Sequence, residues 1–153
     1  MSKYGFLTRK QVVVLKYWLN GYTTREIAGR LGVSHQDVAL TIKRAVRNIE
    51  KAESTLLVYR LLSAKSKIVL REGTRLVDVP GIIFEEADRI GVRVNADFTL
   101  IFKLLRFKAR GCIGDKVVKK PVLVLLYGDG EVDVLPLERV SSLLIELDSI
   151  GVA

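Results

Sequence analysis

Gln36, Leu40, Lys43 and Arg47 follow one another at intervals of 4, 3 and 4 residues. On an α-helix that spacing puts all four on one face. The set is an amide, an apolar side chain and two cations, with no acid–base pair to activate a nucleophile, so its chemistry is binding. A glutamine amide can pair with the edge of adenine, and Lys or Arg with guanine. A leucine can lie against a thymine methyl. Such a face suits the major groove of duplex DNA, with these four as the candidate base readers. Thr23, Thr24, Arg25, Ser34 and His35 stand at helix starts, and Arg44 flanks the reading face. Free N–H groups and positive charge there favour phosphate oxygens. The hydroxyls have a second use, because a helix needs a cap whether or not phosphate is bound.

Other chemistry finds little support. His35 is the only histidine and Cys112 the only cysteine. A protein zinc site needs about three or four ligands, so no metal site is expected. Cys112 lies in Gly-Cys-Ile-Gly, with no second cysteine for a disulfide and no neighbouring histidine to activate it, and reads as an inert thiol. Glu85, Glu86 and Asp88 are adjacent carboxylates with no facing partner, which reads as a solvated helix face. Lys103, Arg106 and Arg110 share a face at i, i+3 and i+7. They read as the wet side of an amphipathic helix, or as a contact for phosphate or an acidic partner. No cofactor and no enzymatic activity are expected.

The readers need a scaffold, and its punctuation is visible. Thr8 with Gln11, and Thr23 with Glu26, have capping-box spacing; Ser34 with Asp37 has it loosely. Gly21 and Gly32 close the first two helical runs, where a left-handed residue is wanted. The order is helix, Gly, helix, Gly, helix, with Gly32-Val33-Ser34 as the turn of a helix-turn-helix. Small Ala28 lets the third helix pack close. Ile27, Leu31, Val33 and Val38 form the plug between the second and third helices, covered by Val14, Leu15 and Trp18 of the first.

Charge agrees with this placement. The chain has 153 residues and a net charge of +8. Residues 1–65 hold twelve Lys/Arg and four Asp/Glu, which is 12 − 4 = +8; residues 66–153 hold thirteen of each, which is zero. A basic N-terminal part and a neutral C-terminal part predict two domains, 1–65 for a polyanion and 66–153 for regulation or assembly. No apolar run approaches the roughly 18 residues of a membrane helix, and the N-terminus lacks an apolar signal core, so a cytoplasmic chain with no membrane partner is expected.

The third helix outruns its task. Residues 34–62, SHQDVALTIKRAVRNIEKAESTLLVYRLL, contain no Gly or Pro. A seam of Val38, Ile42, Ala45, Ile49, Ala52, Leu56 and Tyr59 steps by 4, 3, 4, 3, 4 and 3, a heptad rhythm. The helix-turn-helix can cover the first half. Ala52, Leu56 and Tyr59 need another cover, from a second chain or from the C-terminal domain. Glu53-Ser54-Thr55 is the place where the helix would break.

Beyond residue 65 the period changes. Strands are expected at 67–70 and 75–79, with a short one at 92–94. Asp78 and Pro80 open a helix ended by Gly91. Asn95 caps another over 96–110. Strands 122–127 and 131–135 form a hairpin around Gly128-Asp129-Gly130, with VLVLLY as the central strand. A last helix covers 137–149. The fold class is thus an N-terminal all-α helix-turn-helix with a long extended recognition helix, followed by a small α+β domain.

Residues 7–49, LTRKQVVVLKYWLNGYTTREIAGRLGVSHQDVALTIKRAVRNI, resemble the LuxR/NarL-type helix-turn-helix and its cousin in sigma-factor region 4. More narrowly, RAVRNIEKAESTL (44–56) and DVPGIIFEEADRIGVRV (78–94) resemble the Tfx family of archaeal DNA-binding proteins. The resemblance covers both halves and implies a regulatory role for the second. One departure is local: Thr41 stands where the family more often has an apolar residue and Ile42 where it more often has a charge, so the buried seam is expected to shift by one. The expected function is a sequence-specific regulator of transcription on double-stranded DNA, acting as a homodimer and meeting the transcription machinery. The alternatives are a weakly specific architectural DNA protein, or a small-molecule sensor built on the C-terminal domain.

Overall fold

The computed structural model describes residues 3–152. The chain forms two compact units that part between Tyr59 and Arg60. The first holds α1 (Arg9–Leu19), α2 (Thr24–Leu31) and most of α3 (His35–Ser63).

Both strict capping boxes close. Thr8 and Thr23 accept from the N–H groups of Gln11 and Glu26, whose side chains accept in return from the cap N–H groups. Ser34 Oγ accepts from Asp37 N at 3.1 Å, so the looser third start is also a cap. Gly32 takes the left-handed conformation at φ 68°, which turns the chain from α2 into α3. Val14, Ile27, Ala28, Val38 and Ile42 form the core, with Leu31, Val33, Tyr17 and Tyr22 packed on it. Of the three α1 residues expected to cover the core, Val14 and Leu15 are buried, but Trp18 is 41% exposed.

The second unit is an α+β body. Its sheet has three antiparallel strands, β1 (Ser66–Leu70), β2 (Val122–Leu126) and β3 (Val132–Pro136), in the order β1-β2-β3. All five residues of the central strand β2 are buried. On one face Val122 and Val124 join Val79 and Ile83 of α4 (Val79–Ile90) and Ile101 and Leu105 of α5 (Phe98–Lys108). A short α6 (Ser141–Ser149) is the last helix among the described residues.

Several expected elements are redrawn. Residues 75–79 are not a strand. Leu76 and Val79 are both buried, three residues apart, which suits a helical turn and not a period of two. A 3-10 turn (Leu76–Asp78) leads straight into α4, whose first turn takes Pro80. Residues 92–94 form no strand either; Val92 N donates back to Ala87 O at 2.9 Å as the close of α4. The helix expected from residue 96 starts two residues later, because the cap is Asp97, accepting from Leu100 N at 2.8 Å. Asn95 is engaged elsewhere: its N–H donates to Gly130 O and its amide to Asp129 O, both at 2.9 Å. The last helix is broken at buried Val140, which separates a 3-10 turn (Leu137–Arg139) from α6.

Tyr127 follows the central strand and its hydroxyl is buried without a hydrogen-bond partner among the described residues. Burial, with the Asp133 carboxylate behind it, pushes its ionisation above the ordinary tyrosine value. The folded state therefore holds the proton more tightly than the unfolded chain. That contribution to stability is complete below about pH 10, the unfolded value, and is lost as pH rises through the folded one. Tyr127→Phe is expected to remove a late phase of tyrosinate absorbance above pH 10 and to lessen the alkaline loss of stability. An unchanged absorbance titration would contradict this.

Candidate nucleic-acid interface

α3 sorts its side chains by face. Val38, Thr41, Ile42 and Ala45 are buried, at i, i+3, i+4 and i+7. Gln36, Leu40, Lys43 and Arg47 are exposed together on the opposite side, with Ala39 and Arg44 exposed beside them. The expected one-residue shift of the seam is not what the fold does. The seam widens instead, and Thr41 is buried beside Ile42. Burying a hydroxyl is costly unless it is bonded. Thr41 Oγ1 donates to Asp37 O at 2.8 Å, one turn back, so the polar atom is satisfied inside the helix. The four candidate readers keep their common face because both Thr41 and Ile42 point inward.

Two contacts hold this helix to the segment before it. Lys10 Nζ meets Asp37 Oδ2 at 2.7 Å. An exposed pair adds little stability, up to about 1 kcal/mol. The pair also offsets the single carboxylate in the first turn of α3, a charge that disfavours anions at that helix end. Asn48 then donates from Nδ2 to Phe6 O at 3.0 Å and to Gln11 Oε1 at 3.3 Å. Gln11 is buried, and its Oε1 also accepts from Thr8 N, so one side chain serves the cap of α1 and the docking of α3. The capping-box spacing made the first of these roles visible; nothing local in sequence signalled Asn48.

The phosphate candidates divide. Thr23, Arg25 and Ser34 are exposed, and Thr24 and His35 are half-buried. Glu26 Oε1 already takes the Thr23 N–H at 3.3 Å and sets a negative charge at the start of α2. The Thr23 backbone is thus a poor phosphate donor, whereas Ser34 heads a helix whose nearby acid is neutralised by Lys10. Arg30 is stacked over the Tyr22 ring, with its guanidinium carbon 4.8 Å from the ring centre.

The candidate readers sit on a helix that does not stop with them. α3 is continuous for 29 residues, about 44 Å at 1.5 Å per residue. It runs unbroken through Glu53-Ser54-Thr55, where Thr55 Oγ1 donates back to Lys51 O at 2.8 Å. Ala52 is half-buried, Leu56 is 51% exposed and Tyr59 is 67% exposed. Elsewhere, no group of three His, Cys, Asp or Glu that could hold a metal occurs among the described residues. Cys112 is buried, and burial raises its thiol pKa away from reactivity. Glu86 is not simply solvated: it accepts from Ser66 Oγ at 2.8 Å and pairs with Arg89, whose guanidinium lowers its pKa. No helix among the described residues is long and apolar enough to cross a membrane.

With this geometry in view, residues 6–60 match the family model of the bacterial regulatory proteins of the luxR family. Residues 52–134, more than half of the chain, match the model of the DNA-binding protein TFX C-terminal region. The chain belongs to the Tfx family. Two relatives, each called DNA-binding protein Tfx, come from Methanothermobacter marburgensis and Methanothermobacter thermautotrophicus. Each is 33% identical over 132 residues, covering 86% of this chain and 96% of the relative. A protein of Methanocaldococcus jannaschii is 34% identical over 134 residues, covering 88% of this chain and 98% of its own length. The two family models overlap on residues 52–60, within α3, so this Tfx protein is a helix-turn-helix whose third helix runs on into the region that defines the family.

Proposed function

We propose that this Tfx-family chain is a sequence-specific regulator of transcription that reads double-stranded DNA with α3 in the major groove. One observation carries the reading: Gln36, Leu40, Lys43 and Arg47 are exposed on a single face, directly opposite the buried Val38, Thr41, Ile42 and Ala45. The N-terminal end of such a helix meets base edges first. Gln36, Leu40 and Lys43 therefore read bases, with Arg47 one turn further along. Ser34 and Arg44 are the strongest phosphate contacts, Arg25, Thr24 and His35 accompany them, and Thr23 acts chiefly as a cap. Residues 1–65 are the reader and residues 66–153 the regulatory or assembly part, in a cytoplasmic protein with no catalytic role that works alongside the transcription machinery. The names of the two Methanothermobacter relatives support DNA as the partner.

The active form is a homodimer joined along the second half of α3. Leu56 and Tyr59 are exposed large apolar residues at heptad spacing, continuous with the seam that packs the reader. Helix-turn-helix dimers read two half-sites related by the same two-fold axis. Light scattering at micromolar concentration is expected to give twice the chain mass, and Leu56→Asp to give the monomer with DNA binding weakened. A wild-type monomer, with and without DNA, would remove the dimer. Selection of bound duplexes from a random pool tests the whole reading. A two-fold symmetric consensus supports reader and dimer together. Failure to enrich any sequence would favour the architectural alternative, since regulators bind their sites about 10³-fold or more tighter than scrambled DNA.

A further inference from the structure

The C-terminal unit carries a groove of about 530 Å³, within the usual range for small-molecule sites. Three separate segments of the chain build it. Leu76 and Val77 come from the turn before α4, Phe102 and Arg106 from α5, and Lys116 and Val117 from the loop before β2. Two of the walls are stapled by backbone. Leu76 N donates to Lys116 O at 2.9 Å, and Val118 N to Thr74 O and Gly73 N to Val118 O at 2.8 Å each. The groove is therefore a formed feature and not a gap between loose loops.

Its lining has two characters. Leu76, Val77, Phe102 and Val117 give an apolar floor, and Val77 is left 65% exposed on it. Arg75, Arg106 and Lys116 stand around it, with Asp115 the one acid. None of those three cations is within 4.0 Å of a carboxylate in any ion pair among the described residues. Three cations against one carboxylate leave two positive charges over exposed apolar surface. A guanidinium fork is well matched to a carboxylate or phosphate head, and the floor to a hydrocarbon body. Neutral surface alone would not gather the unpaired cations, and a solvated basic face would not gather the apolar floor.

We propose that this groove binds a small organic anion, a carboxylate or phosphate head on an apolar body of about six to eight carbons. The site makes the C-terminal unit a ligand-binding module. It stands independently of the DNA reading, because binding is measured on the chain without DNA.

Amide NMR of the full chain tests it, with sodium octanoate and hexyl phosphate as probes. Either is expected to shift the amides of Leu76, Phe102, Arg106 and Val117 saturably, and the tighter of the two identifies the head group. 1-Octanol and inorganic phosphate, each lacking one half of the chemistry, bind at least about tenfold more weakly. Arg75→Glu and Arg106→Glu, both at exposed positions, each weaken binding about tenfold, while Arg139→Glu leaves it unchanged. The site is refuted if neither amphiphile shifts these amides, if octanol binds as well as octanoate, or if both groove variants bind like the wild type. A short duplex DNA that shifts these amides when the amphiphiles do not would reassign the groove to DNA and overturn the proposal as well.

Discussion

The double variant Lys43→Ala/Arg47→Ala loses about a hundredfold or more in affinity for the selected duplex. A bidentate base contact is worth about 1–3 kcal/mol of discrimination, and 1.4 kcal/mol is a factor of ten. Affinity alone does not separate base contact from phosphate contact, so the single variants are read on two axes. If Lys43 meets a base, Lys43→Ala relaxes the preference at one position and leaves the salt dependence steep. If it meets phosphate, affinity falls evenly over all sequences and the slope against log salt drops by about one. Position along α3 predicts the difference. Lys43 lies nearer the helix start and acts on preference; Arg47, a turn later, acts more on the slope. Full affinity in both single variants would mean that the wrong face of α3 had been assigned.

The same experiment bears on Asp37. Lys10→Ala frees that carboxylate from its 2.7 Å partner at the end of α3 proposed to enter the groove. Its effect on stability is small, because the pair is exposed. The loss on DNA comes from a restored negative charge as well as a lost positive one, so Lys10→Ala/Asp37→Ala regains part of the affinity.

What the sequence made legible was local. Caps at Thr8, Thr23 and Ser34, the left-handed Gly32 and the apolar run of β2 each depend on residues a few positions apart, and each stands where expected. The misreadings share one cause. Asn95 is a good cap in isolation, but the hairpin takes both its N–H and its side chain, and Asp97 caps α5 in its place. Residues 75–79, rich in Leu and Val, read as a short strand, but the burial of Leu76 with Val79 and the place of Pro80 in the first turn of α4 decide otherwise. Thr41 looked like an intruder in the seam because sequence does not show that a hydroxyl can bond its own helix. The groove was invisible for a simpler reason. Arg75, Arg106 and Lys116 have no spacing that relates them, and only the sheet and the pairing of residues 73–76 with 116–118 bring them to one place.

Among the glycines, Gly130, in the turn held by Asn95, is where an added methyl group meets the closest obstacle. Gly130 has φ +90°, and a Cβ there would lie 2.0 Å from Arg93 O. The obstacle is backbone, held in place by the bond from Asn95 N to Gly130 O, so it cannot swing aside as a side chain would. Gly73 supplies the comparison: its φ is +88°, but nothing lies within 4 Å of the added atom. Alanine at Gly73 meets only the left-handed strain, about 1–2 kcal/mol. Alanine at Gly130 meets that strain and the collision, and reaches roughly 4–5 kcal/mol, where single substitutions become exceptional. Relief requires the turn between β2 and β3 to part from residues 93–95, which breaks both Asn95 bonds. Denaturant unfolding followed by far-ultraviolet circular dichroism compares the two. The collision is disproved if Gly130→Ala costs no more than Gly73→Ala. Asn95→Ala separates the remaining contributions: it deletes the bond to Asp129 O but leaves the backbone bond and the glycine, so its loss is expected to stay near 1 kcal/mol, about the net worth of one hydrogen bond.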